Sequence, residues 1–215
     1  MTLKLYGWFA SAPALFVAVI LHEKQIPFEW IEVDLAKGDQ KTPEFVASNP
    51  FGEVPTIDDD GFVMYESRAI ARYLDEKYPD QGTRLYPKDV QKRAAVDQAV
   101  WAELTQFYRF GVRILYETLN KRFFGREPNM ELVEEAKKSL LAKMDVYESI
   151  LSKQRYLAGD ELTLADIVHI PVGSRLIEEA KVDLGEGRPN VKRWFDEIIK
   201  RESWQKVKPI YMNRI

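Results

Sequence analysis

The chemistry this chain could perform is concentrated in two short segments and one serine. Val54-Pro55-Thr56 reads as the start of a strand, and Tyr65-Glu66-Ser67-Arg68-Ala69-Ile70 as a second strand running into a helix. Between them, Asp58-Asp59-Asp60-Gly61 reads as a hairpin turn. A proline at the mouth of a strand, especially a cis one, has no N–H and leaves neighbouring backbone groups free to bind an extended peptide. A Glu-Ser step at a helix N-terminus offers a hydroxyl and unpaired N–H groups to a carboxylate, with Glu66 beside them for an ammonium. Together these parts suit a small peptide carrying an α-amino acid head.

Ser11 is the third feature. It follows Tyr6-Gly7-Trp8-Phe9-Ala10 and precedes a helix with Pro13 in its first turn. One use is a helix N-cap, whose loss to alanine costs about 1 kcal/mol. The other is a hydroxyl donated to a bound thiolate; the two overlap in place, and one hydroxyl hydrogen is expected not to serve both. Lowering a thiol pKa by about two units needs ~2.7 kcal/mol. A charge-assisted hydrogen bond of about 1.5–3 kcal/mol plus a helix end of about 0.3–1 can supply it. Ser11 would then be a donor, not a nucleophile, since no histidine lies near it in sequence to act as its base.

Composition removes several other chemistries. The 215 residues are 46% hydrophobic and 30% charged with net charge −3, and no basic run or aromatic–basic patch suits nucleic acid. There is no cysteine, so disulfides, thiolate metal sites and thiol catalysis are excluded. His22 and His169 stand far apart without a second ligand at i+3 or i+4, so no metal site is expected. The longest apolar stretch, Ala12 to Leu21, is too short to span a bilayer. The N-terminus reads as a strand and not as a signal peptide, so a soluble cytoplasmic protein is the expectation.

The elements that must position these residues alternate over the first eighty positions. Leu3–Tyr6 reads as a strand, Ser11–Lys24 as a helix apolar nearly all round, and Phe28–Val33 as a strand of period two. A polar stretch and a helical turn near Pro43–Ser48 precede the hairpin and a helix over Ser67–Lys77. The order β-α-β-α-β-β-α is that of a thioredoxin-like α/β domain, expected over residues 1–80. A linker over 81–89 leads to an all-α helical bundle over 90–215. Val90 to Phe124 is helix-compatible, with a bend expected at Gly111, and Val133, Ala136, Leu140, Met144, Tyr147 and Leu151 repeat at helical spacing. Val191, Trp194, Phe195 and Ile198 mark a later amphipathic helix. Thr163 and Asp166 have the spacing of a capping box and are read as structural.

Over nearly its whole length the chain resembles the cytosolic glutathione transferases, and within them the phi class. The resemblance rests on Leu5-Tyr6-Gly7, Ser11, Lys37-Gly38-Asp39-Gln40-Lys41 and Asn49-Pro50-Phe51-Gly52-Glu53-Val54-Pro55. It continues through Tyr65 to Ile70, Tyr156 to Asp160, Leu164-Ala165-Asp166 and His169. It implies a glutathione transferase fold, a homodimer, and a detoxifying attack of the glutathione thiolate on hydrophobic electrophiles. Glutathione is a co-substrate, and no permanently bound cofactor is implied. Reduction of organic hydroperoxides is a second activity known among serine-type members.

By the same resemblance Ser11 activates the thiol. Gln40, Lys41, Glu53, Val54, Pro55, Glu66 and Ser67 bind glutathione, with Glu66 on the α-ammonium, Ser67 on the γ-glutamyl carboxylate and the Val54 backbone on the cysteinyl unit. Phe51 matches a position where several classes insert an aromatic ring into the partner subunit. Trp8, Phe9 and Ala10 are expected to wall an electrophile pocket between the domains, faced by Phe107 and Phe110, with Tyr108 read as bundle core. Tyr6 is a backup donor that otherwise packs. Two positions depart from the phi pattern, Glu53 replacing the usual glutamine and Phe16 a usual arginine, and Ala14 stands where a neighbouring branch carries its thiol-activating asparagine. A carboxylate at Glu53 would repel the glycine carboxylate of glutathione. A rival reading is a non-catalytic ligand-binding or protein-interaction module on the same scaffold.

Overall fold

The structure, a computed structural model, describes residues 2–212 and divides them into two compact units. The first holds residues 2–84 together with 202–212, and the second holds residues 85–201.

The first unit is built on a four-stranded sheet. Its strands are β1 (Leu3–Gly7), β2 (Phe28–Glu32), β3 (Thr56–Asp59) and β4 (Phe62–Tyr65), in the order β2-β1-β3-β4. β1 pairs parallel with β2 and antiparallel with β3, and β3 pairs antiparallel with β4. The β3–β4 turn is the two-residue kind the sequence announced. Asp60 and Gly61 take φ of 57° and 88°, as a hairpin with the strands' own twist requires.

Helix α1 (Ala12–Glu23) follows β1, and its run of apolar side chains is buried on every face. A helix with no polar face must be packed all round. Part of that packing comes from α3 (Ser67–Lys77), where Asp75 meets Lys24 at 3.0 Å with both side chains fully buried. The short α2 (Pro43–Ser48) is capped by the Thr42 hydroxyl.

The second unit is helical. It contains α4 (Val90–Ala102), α5 (Arg109–Leu115), α6 (Met130–Leu151), α7 (Leu164–Ile167), α8 (Ile170–Glu178) and α9 (Pro189–Ile198). The six periodic residues of α6 are all buried, as are Val191, Trp194, Phe195 and Ile198 of α9. The expected capping box opens α7: the Asp166 carboxylate accepts the Thr163 N–H at 3.0 Å, and the Thr163 hydroxyl oxygen accepts the Ala165 N–H at 3.3 Å.

Three expectations are corrected. The last helix, α10 (Glu202–Met212), packs on α1 in the first unit, so the helical unit does not run from 90 to the end of the chain. Its Ser203 hydroxyl donates to the Glu23 carboxylate at 2.6 Å, and Trp204 and Val207 are buried. The linker is shorter than 81–89, because Leu85 and Tyr86 already belong to the second unit. The Leu85 carbonyl accepts the Leu164 N–H at 3.0 Å, and the Tyr86 hydroxyl reaches the Asp97 carboxylate. Gly111 does not interrupt the helical run as expected of a bend: it lies inside α5, where an added Cβ would stand 2.6 Å from Val172 of α8. The departures from α geometry are instead π-helical stretches over Glu103–Tyr108 and Tyr116–Asn120 and a 3-10 turn over Lys121–Phe124.

Candidate functional site

The strand register brings three of the sequence-predicted segments, those of Ser11, Val54-Pro55 and Glu66-Ser67, to one end of the sheet. Tyr6 of β1 pairs with Thr56 of β3, and Thr56 pairs with Tyr65 of β4. Beyond this row lie the turn leading to Ser11, the Val54-Pro55 segment, and the Glu66-Ser67 step. Neighbouring strands are about 4.8 Å apart. Three segments that lie apart in sequence therefore emerge side by side over a span suited to a tripeptide.

Ser11 is the N-cap of α1. Its Oγ accepts the Ala14 N–H at 3.4 Å, and its own N–H donates to the Trp8 carbonyl at 2.8 Å. The cap uses an oxygen lone pair, so the hydroxyl hydrogen has no acceptor among the described residues. The expected competition between capping and donation is therefore absent: a serine hydroxyl can accept and donate at once. The first turn of α1 carries no acidic residue, which leaves the positive helix end uncompensated beside Ser11.

The Val54–Pro55 peptide bond is cis. Val54 precedes β3, and its backbone N–H and C=O have no partner among the described residues, as strand addition by a peptide requires. The buried Asn49 shapes this segment: its side-chain amide donates to the Glu53 carbonyl at 2.7 Å, and its side-chain oxygen accepts the Phe51 N–H at 3.1 Å. Sequence reading gave Asn49 no role, although a polar residue before Pro-Phe-Gly at a chain reversal was the available signal.

Glu66 is held at φ 71°, ψ 100°, a conformation that glutamate rarely adopts. Its carboxylate is exposed and has no partner among the described residues. Ser67 opens α3, so its N–H is one of those without an intrahelical acceptor. Together they offer an anion-binding helix end with a carboxylate beside it.

Lys41 is partly engaged. Its ammonium donates to the carbonyls of Phe51 and Gly52, both at 3.0 Å, which leaves a third donor for an anion. Gly52 has φ 59°, and a Cβ there would stand 2.8 Å from the Lys41 nitrogen, so the lysine is folded tightly over this turn. Gln40 presents a buried amide oxygen with no hydrogen-bond partner. The Glu53 side chain is exposed, while its carbonyl is taken by Asn49.

Of the aromatic residues, Trp8 is buried and Phe9 half-buried, their rings meeting edge-on at 5.2 Å. Ala10 is buried. Phe107 is corrected: it is fully buried in the core of the helical unit, 4.8 Å from the His169 ring and 6.2 Å from Phe195, and serves as core, not pocket wall. Phe110 is half-buried with the Arg109 guanidinium 4.8 Å over its ring, and Tyr108 is half-buried. Phe16 is buried in α1. Phe51 is 64% exposed, its ring edge-on to Tyr65 at 5.8 Å. Among the described residues no three His, Asp or Glu side chains group as metal ligands. No helix there is long and apolar enough to cross a membrane.

Both units have known counterparts. Residues 10–77 match the glutathione S-transferase N-terminal domain, and residues 96–202 match its C-terminal domain. The chain belongs to the glutathione S-transferase family. It is 41% identical over 208 residues to glutathione S-transferase F11 of Arabidopsis thaliana, covering 96% of this chain and 97% of that protein. The solved structure of glutathione transferase F2 from Populus trichocarpa is 37% identical with a TM-score of 0.93, covering 98% and 99% of the two chains. Glutathione S-transferase I from maize, solved with an atrazine–glutathione conjugate, is 30% identical with a TM-score of 0.91 over all of both chains. Within the glutathione transferases the chain falls with the phi class.

Proposed function

We propose that this glutathione transferase is of the serine type, conjugating the glutathione thiolate to hydrophobic electrophiles. The observation that carries the reading is the convergence at one sheet end of a hydroxyl hydrogen without an acceptor, an unpaired strand mouth at Val54 and an open helix end at Ser67. Glutathione lies along that end. Its γ-glutamyl carboxylate takes the Ser67 N–H and hydroxyl, and its ammonium pairs with Glu66. Its cysteinyl unit pairs with the Val54 backbone beside Pro55. The glycine carboxylate takes the remaining donor of Lys41, with Gln40 alongside. The thiol proton leaves to solvent, and the Ser11 hydroxyl donates to the sulfur anion at the end of α1. The thiolate then attacks the electrophilic carbon, a C–S bond forms, and the leaving group departs with the electron pair of its bond. Trp8, Phe9 and Ala10 form an apolar wall for the electrophile on this unit.

With an organic hydroperoxide the same thiolate attacks the peroxide oxygen. The products are an alcohol and glutathione sulfenic acid, which a second glutathione converts to the disulfide and water. The working form is a homodimer in the cytoplasm, with Phe51 at the subunit interface. An apolar cavity of about 550 Å³ between α4 and α6, lined in part by Ala99, Ala102, Val146 and Ile150, is the partner's complement to that ring.

The test is conjugation of a chloronitrobenzene by wild type and Ser11→Ala, with glutathione binding followed by calorimetry. Turnover falls at least tenfold in the variant while affinity holds, a loss in keeping with one charge-assisted hydrogen bond. Equal turnover would move thiol activation to Tyr6 or the backbone. Binding without turnover in the wild type would favour the non-catalytic reading, which the exposed Glu53 carboxylate supports.

A further inference from the structure

The chain between β1 and α1 that delivers Ser11 has no strand or helix of its own. It is tied to the end of β2. The Val33 N–H donates to the Gly7 carbonyl at 2.8 Å. Glu32 adds a side-chain tie: one carboxylate oxygen accepts the Phe9 N–H at 3.1 Å, and the other accepts the Trp30 indole N–H at 2.8 Å. Trp30 and Glu32 alternate onto one face of β2, in register with Leu5 and Gly7. The indole lies so close to Gly7 that a Cβ there would stand 2.6 Å from ring atom Cη2. The ring is thus seated by the glycine, and it fixes the carboxylate in turn. From Phe9, two residues lead to Ser11, and the Ser11 N–H closes the turn on the Trp8 carbonyl at 2.8 Å.

We infer that Glu32, oriented by Trp30, is a positioning residue for Ser11: it holds the Trp8–Ala10 turn so that the serine hydroxyl meets the glutathione sulfur at hydrogen-bond distance. The inference rests on the reading of Ser11 as the thiolate donor. A displacement of about 1 Å at such a contact can cost on the order of a hundredfold in rate. A carboxylate is the fitting group because both its oxygens only accept, and here they face two N–H donors. An amide in its place would turn an NH₂ toward one of them. The charge of Glu32 works the other way. Removing a negative charge would by itself favour the thiolate and lower the thiol pKa, whereas loosening the turn raises it. The sign of the change therefore separates clamp from charge.

The experiment titrates the thiol of enzyme-bound glutathione, by thiolate absorbance and by the pH profile of kcat/KM. It compares wild type, Ser11→Ala, Glu32→Gln, Trp30→Phe and the double variant S11A/E32Q, with melting temperature and glutathione affinity measured in parallel. Glu32→Gln and Trp30→Phe each raise the thiol pKa by about one unit, which lowers kcat/KM about tenfold below it. Affinity for glutathione stays within about twofold, and E32Q adds nothing once Ser11 is alanine, as expected for residues acting through one group. If Glu32→Gln does not fold, Trp30→Phe, which keeps a ring and removes the donor, carries the test. A thiol pKa that is unchanged or lowered in the Glu32 and Trp30 variants, while Ser11→Ala raises it, overturns the positioning role alone. A pKa unmoved in Ser11→Ala overturns the serine-type reading and the positioning role with it.

Discussion

Glu66 bears the greatest local strain among the candidate ligands, a left-handed backbone on a side chain that rarely adopts it. Such a conformation persists where the surrounding structure imposes it. Here the β4–α3 junction does so and leaves the carboxylate exposed. If it pairs the glutathione ammonium, Glu66→Ala loses a charge-assisted contact of about 1.5–3 kcal/mol. Calorimetry should then show at least about tenfold weaker binding, with saturated turnover nearly intact; an unchanged affinity removes the assignment. Glu53→Gln should move the other way. An exposed charge acts through water, so relief of repulsion is about 0.2–1 kcal/mol, or up to about fivefold tighter glutathione. Looser binding would show that Glu53 faces away from the glycine carboxylate. That Ser11, Val54, Glu66 and Ser67 come together at one end of the sheet was legible because their spacing about two strands and two helix starts has few other uses. Glu32 was not, since a carboxylate closing an alternating strand reads as solvent-facing and its donors are set by folding. Phe107 was misread because an aromatic on a helix looks the same whether it walls a pocket or fills a core.

Among the elements, periodicity showed which helices bury a face but not which unit receives that face. Trp204 and Val207 of α10 are buried, and only the folded chain shows that this helix covers α1. The π stretches of the long helical run leave no local signature either, since they come from packing. The capping box of α7 was legible because its spacing is fixed by local geometry. Asp166 there accepts from the Leu157 N–H at 3.0 Å and the Trp194 indole at 2.9 Å as well as from Thr163. Burial nevertheless outweighs these donors and raises its pKa to about 6. In the unfolded chain the same carboxyl titrates near 3.9, so between about pH 4 and 6 the folded protein holds the extra proton. The stability this group contributes is full below about pH 4 and is lost as pH rises through about 6, at no more than ~1.4 kcal/mol per pH unit. Denaturant titrations of wild type and Asp166→Asn across that range should show their stability difference shrinking with pH and then levelling. A difference independent of pH would mean that the carboxyl is already ionised at pH 4. At neutral pH the asparagine variant should still be the less stable by about 1–3 kcal/mol, because its NH₂ faces N–H donors.

At the scale of the whole molecule the proposal to test is assembly. Net charge is −3 with both signs mixed along the chain, so the proposed dimer contact rests on apolar surface and not on net charge. Phe51 stands 64% exposed on the first unit, and Val146 and Ile150 are exposed at the α4–α6 cavity. In the proposed homodimer a ring on one copy would meet the cavity on the other, and a two-fold axis would make that contact twice. Burying a phenylalanine side chain stabilises by about 1.5–3 kcal/mol, so two of them contribute about 3–6 kcal/mol. Phe51→Ser should then raise the dimer dissociation constant by at least about a hundredfold. Sedimentation velocity near micromolar concentration would detect the monomer, and calorimetry on the same sample should find glutathione binding retained, since the proposed ligands all lie on the first unit. Phe51→Tyr, which keeps the ring, should remain dimeric. If Phe51→Ser sediments as wild type does, the ring belongs to no interface, and its contact with Tyr65 beside the site is its whole role.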